Sequence, residues 1–484
     1  MINDMFDFIS APPYIALYNT PDGHYVLDHH TNRLFEISES ESEVFSRWLS
    51  GTSLTDLQLQ FSEIVSEIKT MIERGLFSCN PPQYLSFHAS WPEIITLINS
   101  KRAKTLVEIT DKCNLRCKYC AFGGGYSDHR THGNLEMSTV ILEKAILEAI
   151  QCSQESERIS IGFYGGEPLL AFEKIKYAVF FAKTHSLRPI SFSITTNATL
   201  INFEIAQFLN DHSFNVLVSL DGPKDMHDRF RQYPNGTGSY ETTINGLKTL
   251  LDIYPSERHN LIGLNMVIPS LSWLSQLHQL WDQESWLPRN IRAQTSLVDA
   301  PEHFIFEEPP HKGIDMSLYD EWLSEIRIEK KNTLLENMFD KSYLFFHQRP
   351  TFSGHRNSFY PNGCCVPAVQ KLYVSVEGHY KICERVHGCP NIGHALTGID
   401  LLNIQNVIAE YAEKSFEDCQ SCVAISNCTL CYLHAYENGL FNQDKKRINC
   451  EKVRRSFNQK IADYISISKT YPEKIQEWDN ATIY

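Results

Sequence analysis

Residues 105–120 read TLVEITDKCNLRCKYC, an apolar run followed at once by three cysteines. The run Thr105–Thr110 is typical of a buried strand, and the cysteines follow it with the spacing C-x3-C-x2-C. Three thiolates on one short loop can hold three irons of a four-iron four-sulfur cluster and leave the fourth iron open. The candidate metal ligands and catalytic residues of this loop are Cys113, Cys117 and Cys120.

A structural zinc site is the alternative for this loop, because zinc normally takes four protein ligands in a closed site. The fourth ligand would have to be His129 or His132, the nearest histidines in the sequence, and spacing alone excludes neither. Because no fourth cysteine is near, the loop favours a cluster with an open position.

Five more strand candidates alternate with amphipathic helix patterns after this loop. They are Ile159–Tyr164, Ile190–Thr195, Asn215–Leu220, Leu261–Ile268 and Ile291–Leu297. Six βα units in sequence predict an α/β fold in which a parallel sheet curls into a partial (β/α)6 TIM-like barrel. Ligands bind at the carboxyl ends of the strands in such a barrel, and the cysteine loop follows the first strand.

The loops after the first four strands resemble those of the radical S-adenosylmethionine (SAM) superfamily. The cysteine loop has the aromatic Tyr119 before its last cysteine, as in that family. Three further segments resemble the family's GGEP, T-N-G and S-x-D-G-P motifs: Tyr164–Pro168 (YGGEP), Thr195–Thr199 (TTNAT, with Ala198 where glycine is commoner) and Ser219–Pro223 (SLDGP).

The resemblance implies a SAM-binding site, with Glu167 as the charged contact for the amino group and Ser219 against the ribose. The implied cofactor-binding residues are Tyr119, Gly165, Gly166, Glu167, Asn197, Ser219, Asp221 and Arg231. Alternatives stay open for two of them. Asp221 could be a base or a turn residue at the loop end. Arg231, like Arg229, could bind the methionine carboxylate or lie on a solvated turn.

Cysteine is abundant, with 14 in 484 residues and nine of them between Cys364 and Cys450. In a long chain without a secretory signal, this indicates metal or redox chemistry rather than disulfides. The spacing Cys365-x12-Gly378-x4-Cys383, then C-x2-C-x5-C-x2-C from Cys419 to Cys431, then Cys450, resembles the SPASM extension. That extension carries two auxiliary iron–sulfur clusters, and its usual x3 before the fourth cysteine of the central run is x2 here.

The resemblance implies three four-iron four-sulfur clusters, one on the first loop and two auxiliary ones. One auxiliary set is Cys419, Cys422, Cys428 and Cys450, and the other is Cys365, Cys383 and Cys431. The latter has three cysteines unless Cys364 or Cys389 supplies a fourth, and an open iron there could bind a substrate thiolate. Fewer clusters, or zinc in part of the extension, is the alternative. The nearby His355, Glu384 and His387 could shuttle protons or be ordinary surface groups.

The first section predicts a small winged-helix-like module of three short strands and three short helices. Its strand candidates are Tyr14–Tyr18, Tyr25–Asp28 and Arg33–Ile37, and Ser38 with Glu41 forms a capping box before the first helix. Residues 1–100 contain four basic and thirteen acidic side chains, which would repel nucleic-acid phosphates. An exposed strand edge could instead add a peptide as an extra strand, and a purely structural cap is the alternative.

Composition sets wider limits. Hydrophobic residues make up 42% and charged residues 21%, as in soluble globular proteins, and the formal net charge is −14. This charge argues against nucleic acid or an anionic membrane as the partner. No apolar run approaches the length of a membrane span, and residues 1–11 contain no Lys or Arg, so we expect no secretory signal and a cytoplasmic location.

We expect four sections: a peptide-recognition module (1–95), the barrel (104–325), a bridging segment (326–352) and an auxiliary-cluster domain (353–484). Together they resemble maturases of ribosomally made peptides, in which a PqqD-like element binds a leader peptide. The resemblance implies an oxidoreductase that takes an electron from a donor such as flavodoxin or ferredoxin and generates a 5′-deoxyadenosyl radical from SAM.

The expected reaction joins a Cys sulfur to a carbon within the precursor peptide, a thioether of the sactipeptide or ranthipeptide type. The incomplete auxiliary set motivates this hypothesis. The alternatives are a carbon–carbon cross-linking maturase, a sulfatase-type formylglycine maturase and, from a different class, a non-catalytic iron–sulfur sensor.

Overall fold

The structure is a computed structural model that describes residues 11–87, 89–123, 130–269, 273–298, 316–331, 333–361 and 363–481. His129, one of the two alternative ligands of the first loop, lies outside the described residues.

The amino-terminal residues form an antiparallel sheet with helices on one face. Its strands are β1 (Ile15–Thr20), β2 (Gly23–Asp28) and β3 (Arg33–Ile37), in that spatial order, so β3 is an edge strand. The helices that follow are α1 (Glu39–Leu49), α2 (Leu54–Leu57) and α3 (Ser62–Glu73). The predicted capping box is present, because Ser38 Oγ accepts from Glu41 N at 3.2 Å and Glu41 accepts from Ser38 N at 2.7 Å. A short strand, β4 (Tyr84–Leu85), and α4 (Trp91–Ser100) lead into the barrel.

A parallel sheet forms the centre of the molecule. Its six predicted strands are β5 (Thr105–Thr110), β6 (Ile159–Gly165), β7 (Ile190–Thr196), β8 (Asn215–Ser219), β9 (Ile262–Ile268) and β10 (Arg292–Leu297). They pair side by side in chain order, each parallel to the next. The predicted α/β fold with a parallel sheet is confirmed, and each strand begins and ends within one residue of its prediction.

Helices connect these strands and cover the sheet. They are α5 (Thr139–Gln151), α6 (Phe172–His185), α7 (Phe203–Asp211), α8 (Lys224–Phe230), α9 (Tyr240–Ile253) and α10 (Leu274–Gln283). Apolar side chains of strands and helices form one core, in which Val107, Phe163 and Ile194 of the sheet are fully buried or nearly so. Because every strand points the same way, the loops after β5 to β8 meet at one edge of the sheet.

Two helices precede the carboxyl-terminal section, α11 (Met316–Arg327) and α12 (Lys341–His347). The helices of the section itself are α13 (Leu401–Cys419), α14 (Gln443–Thr470) and α15 (Pro472–Asn480). Its short strands are β11 (Ser358–Phe359), β12 (Leu372–Val374), β13 (Tyr380–Lys381), β14 (Gly393–His394), β15 (Gly398–Ile399), β16 (Tyr436–Glu437) and β17 (Leu440–Phe441).

This section also shares the core of the barrel. Strand β12 pairs in parallel with β5, and β13 pairs with β12, so the central sheet has eight strands among the described residues. Ile404, Tyr411 and Trp478 belong to the same buried cluster as the barrel strands. Hydrophobic contacts therefore anchor the cysteine-rich section before any metal is considered.

The amino-terminal sheet packs against this section with its other face. Tyr25 and Leu27 of β2 lie in one apolar cluster with Phe346 of α12 and with Phe457 and Ile461 of α14. Arg356 fixes the orientation by donating to the carbonyl oxygens of His30 at 2.6 Å and His29 at 3.1 Å. Both faces of the small sheet are thus covered, and its edges are the remaining places where another strand could add. None of the described helices is both long and apolar enough to cross a bilayer.

Candidate active site and metal centres

The first cysteine loop lies directly after β5, at the carboxyl edge of the sheet. The thiols of the three cysteines, Cys113, Cys117 and Cys120, lie close enough together to interact electrostatically. Burial raises the pKa of Cys113 and of Cys117 to about 12. Buried thiols with such pKa values are protonated at neutral pH, and only a cation among them would convert all three into thiolates. The donor set therefore fits a metal cluster.

His132, the other alternative ligand of this loop, lies in cationic surroundings. Burial lowers its pKa to about 4, and its next strongest electrostatic neighbours are Arg116 and Arg130. The two arginines lower the pKa further, whereas the nearby carboxylate of Asp111 raises it, so these surroundings leave the zinc alternative open.

Tyr119, Asp221 and Arg231 form a buried network beside the cysteines. Asp221 accepts from Arg231 Nε at 2.8 Å, from Arg231 Nη2 at 3.0 Å, from the Tyr119 hydroxyl and from Val267 N at 3.0 Å. A carboxylate has about four acceptor positions, and all four are used here. The interpretation of Asp221 as a base, or as a direct cofactor ligand, is therefore not supported by its geometry.

Arg231 is buried rather than on a solvated turn. Its side chain is 8% exposed and lies over the Tyr119 ring at 5.4 Å from the ring centroid. Two of its N–H groups bind Asp221, and a guanidinium has five, so it can bind a second carboxylate. Arg229, which the sequence treats in the same way, is exposed and lies over Trp273 at 5.6 Å.

Glu167 connects the ends of two strands. Its carboxylate accepts from Leu169 N at 3.0 Å, Thr196 Oγ1 at 2.7 Å and Asn197 N at 2.8 Å. Burial nevertheless raises the pKa of Glu167 to about 7. One acceptor position is left for an ammonium group, which would favour the ionised form. The position thus fits the implied contact to the amino group of SAM.

Gly165 and Gly166 place β6 against the cysteine loop. Gly166 N donates to Thr110 O at 2.9 Å, and Glu167 N donates to Lys112 O at 2.7 Å. A Cβ atom on Gly166 would lie 2.1 Å from Lys112 O, and one on Gly165 would lie 2.2 Å from Thr110 O. The absence of side chains is therefore required for the close approach of the two backbones.

Asn197 joins the third strand end to the cysteine loop through Asn114, which the sequence analysis missed. Asn197 Nδ2 donates to Asn114 Oδ1 at 2.9 Å, and Asn114 Nδ2 donates to Thr199 Oγ1 at 2.8 Å. Ala198 has a φ of 61°, in the left-handed region that favours glycine, and this explains why glycine is commoner there. Ser219 lies at the end of β8 and is 7% exposed.

Four cysteines line one cavity in the carboxyl-terminal section. The cavity is lined by Cys419, Cys422, Cys428 and Cys450, together with Tyr411, Lys446 and Arg454. Burial raises the pKa of Cys419 to about 11 and that of Cys428 to about 12, so these thiols also need a cation to ionise. The structure brings together the predicted set, and its four thiol donors fit a metal cluster.

The other auxiliary set has both possible additional ligands, Cys364 and Cys389, nearby. Cys389 lies close enough to Cys383 and Cys431 to interact with them electrostatically. Cys364 lies between the two sets, with its thiol 3.7 Å from Leu430 O. Cys365 is exposed, and its charged neighbours are Lys371 and Glu384. Cys364 interacts electrostatically with Cys431 and Cys365, and Cys389 does so with Cys431 and Cys383, so either could be the additional ligand.

The remaining candidates for proton transfer have other partners. Glu384 forms an ion pair with Lys371 at 2.9 Å. The ring of His355 lies beside that of His30, tilted to it and with ring centroids 4.4 Å apart, and it forms a hydrogen bond with Asn357 at 2.9 Å. The ring of His387 lies edge-on to Phe122 at 5.1 Å. These contacts give His355 and Glu384 structural roles.

Comparisons with known proteins agree with this site. Residues 107–270, about a third of the chain, match the radical SAM superfamily. The radical SAM cyclopropyl synthase TigE of Paramaledivibacter caminithermalis is 26% identical over 274 residues, which cover 53% of this chain and 56% of that protein. A cysteine-type anaerobic sulfatase-maturating enzyme of Clostridium novyi is 31% identical over 159 residues, covering 32% of this chain and 42% of that enzyme.

Among solved structures, native anSMEcpe with bound AdoMet has a TM-score of 0.57 at 18% sequence identity, covering 78% of this chain and 100% of that one. This likeness concerns the fold. The matches span about half the length of the two curated relatives. Motifs, sheet and comparison agree on the same residues: the chain contains a radical SAM domain at residues 107–270.

Proposed function

We propose that this protein is a radical SAM maturase that forms an intramolecular thioether in a ribosomally made precursor peptide. The peptide loses a Cys S–H bond and a C–H bond and gains a C–S bond. One hydrogen atom leaves with the 5′-deoxyadenosyl group, the thiol proton goes to solvent, and one electron passes to an auxiliary cluster. A donor such as flavodoxin or ferredoxin supplies the electron that SAM cleavage consumes.

The barrel residues would hold the cofactors. Cys113, Cys117 and Cys120 would ligate the cluster that, with SAM, supplies the radical. Glu167 has one acceptor position for the amino group, and Arg231 has N–H groups for the carboxylate of the methionine part. The buried Asp221 keeps Arg231 in place, and Ser219 stays the proposed ribose contact.

The observation that carries the thioether assignment is the exposure of Cys365. Cys365 and Cys383 share Lys371 and Glu384 as charged neighbours, so a metal on this set would lie near the protein surface. A peptide thiolate could reach such a metal without crossing the core. The relative named as a sulfatase-maturating enzyme supports a protein or peptide substrate for this chain as well.

Carbon–carbon cross-linking is the second candidate, and the position of Cys389 favours it. If Cys389 joins Cys383 and Cys431 with Cys365, the set has four protein sulfurs and no open iron for a substrate thiolate. The relative named as a cyclopropyl synthase supports the same candidate, because a cyclopropyl ring contains a new carbon–carbon bond.

The amino-terminal module is proposed as the element that binds the leader peptide. Its sheet is covered by its own helices on one face and by α14 on the other. The edge of β3 is the position where an extended peptide could add as a fourth strand. The excess of acidic side chains in this module disfavours nucleic acid as its partner.

The mass of a Cys-containing precursor peptide, co-expressed with the protein and then alkylated, tests the proposal. Loss of two hydrogens with one fewer alkylated Cys would establish a thioether. The same loss with every Cys alkylated would establish carbon–carbon coupling instead. An aldehyde that reacts with a hydrazide would indicate formylglycine formation, and no change in mass would contradict all three.

A further inference from the structure

Two cationic side chains line the cavity between Cys419, Cys422, Cys428 and Cys450. Lys446 lies one helical turn before Cys450 on α14, and its Nζ is 3.6 Å from Cys419 Sγ and 3.7 Å from Cys450 Sγ. Arg454, one turn after Cys450, hydrogen-bonds to Cys422.

Lys446 is buried, with 1% of its surface exposed. Lysine is almost never buried without a partner, because an ammonium group loses its hydration there. In the described part of the chain, the two sulfur atoms are the hydrogen-bond acceptors of this ammonium group. Asp418 lines the same cavity as a further anionic neighbour of this ammonium group, and ligation of a metal cluster would add negative charge on the two sulfurs that it contacts.

Such a cluster gains one negative charge when it accepts an electron. A fixed positive charge at this distance stabilises the reduced form more than the oxidised form, and the surrounding core weakens the screening by water. Hydrogen bonds to the sulfurs and nearby charges are known to set cluster potentials. The effect of Lys446 has a definite sign, since it makes reduction easier.

We propose that Lys446, assisted by Arg454, raises the reduction potential of the cluster on Cys419, Cys422, Cys428 and Cys450 and so makes it an electron acceptor. Both are positioning residues, because they act through the cluster. This inference rests on the proposed function, which implies that cluster. It adds which charged side chains make the cluster a suitable acceptor for the electron that the peptide loses.

An EPR-monitored redox titration of the full-length, reconstituted protein tests the proposal. Cys113, Cys117 and Cys120 are replaced by alanine in this background to remove the signal of the first cluster. The signal that disappears on further Cys419→Ser substitution identifies the cluster of interest. We expect Lys446→Gln to shift the midpoint potential of this cluster to a more negative value. A tenfold change in the equilibrium constant of a one-electron reduction corresponds to about 59 mV, and we expect a shift of at least this size.

Arg455→Gln is the matched control, since it removes one positive charge from the same helix at a side chain that is 84% exposed. It should leave the midpoint unchanged, and Lys446→Arg should stay close to the parent. If Lys446→Gln does not fold, Arg454→Gln takes its place with the same expected direction.

The outcomes separate the two levels of the proposal. The inference is wrong if the cluster that depends on Cys419 has the same midpoint potential in Lys446→Gln, or in Arg454→Gln as its substitute, as it has in Arg455→Gln. The proposed function stays intact in that case. If no signal depends on Cys419, both this inference and the proposed auxiliary cluster are wrong.

Discussion

The buried pair of Asp221 and Arg231 shows how single residues hold the site. Asp221 is fully buried, and removal of Arg231 would leave its carboxylate without a counter-ion. We expect Arg231→Met to lower the free energy of unfolding by about 3–5 kcal/mol, measured by urea denaturation. The double variant with Asp221→Asn should recover much of this loss, because no buried charge then remains unpaired.

Arg229→Met is the control for the Arg231→Met and Asp221→Asn variants, since Arg229 is exposed on the same stretch of chain. A change of less than about 0.5 kcal/mol is expected there. If Arg231→Met were equally mild, the ion pair would not be what holds the network of Tyr119, Asp221 and Arg231 in place.

Glu167 should make the stability of the cofactor-free protein depend on pH. Its pKa rises from 4.5 in the unfolded chain to about 7 in the folded one because of burial. The folded protein therefore binds the proton more tightly, and stability falls as pH rises from 4.5 through 7, by about 3 kcal/mol in total. The Glu167→Gln variant should lack this fall, so the difference in free energy of unfolding between the two proteins should change over this pH range. Parallel pH profiles of the two proteins would contradict the raised pKa.

At the scale of elements, the close approach of the β6 loop to the cysteine loop should control cluster binding. In Gly166→Ala the new Cβ would collide with Lys112 O, a backbone atom that moves only with the cysteine loop. We expect a stability loss of about 1–3 kcal/mol and a loss of iron bound by Cys113, Cys117 and Cys120.

Gly236→Ala provides the comparison for Gly166→Ala. Gly236 has a φ of 82°, and nothing lies within 4 Å of an added Cβ. Backbone strain alone should cost about 1–2 kcal/mol and leave the iron content unchanged. Equal iron content in the two variants would show that the backbone approach is not needed for the cluster.

Local patterns predicted the barrel well and the carboxyl-terminal section poorly. The strand β6 is a short, mostly apolar run, interrupted by Ser160 and followed by glycines, and its bounds were predicted to within one residue. Strand β12 has only three residues, and its pairing with β5 depends on a partner 267 positions away in sequence. On α14 the buried face includes Lys446 and Cys450, so the apolar period is interrupted where the cavity requires polar atoms. The contacts of Asn114 and Tyr119 across strand ends could not be predicted either, because they depend on how the loops meet.

At the scale of the whole molecule, the docking of the amino-terminal module changes how its role must be tested. Deletion of residues 1–92 would expose Phe346, Phe457 and Ile461, which the module covers. We expect the truncated chain to aggregate, visible as loss of the monodisperse peak in size-exclusion chromatography. A well-behaved truncated chain with full peptide turnover would contradict both the docking and the recognition role.

Hydrogen exchange in the full-length protein tests the recognition role without disturbing the interface. Addition of a leader-bearing peptide should slow exchange of the backbone amides of β3 (Arg33–Ile37), because an added strand would pair with this edge. The amides of β2, which already pair on both sides, serve as the internal control. Protection elsewhere but none on β3 would show that the peptide binds at another surface.

The proposed function requires that SAM is cleaved at the cysteine loop after β5, beside Glu167 and the Asp221–Arg231 pair. The most direct measurement is the formation of 5′-deoxyadenosine from SAM by the reconstituted, chemically reduced full-length protein and by its Cys117→Ala variant. We expect product from the parent and none from the variant, because two thiolates do not hold this cluster. Undiminished 5′-deoxyadenosine from Cys117→Ala would contradict the proposed function.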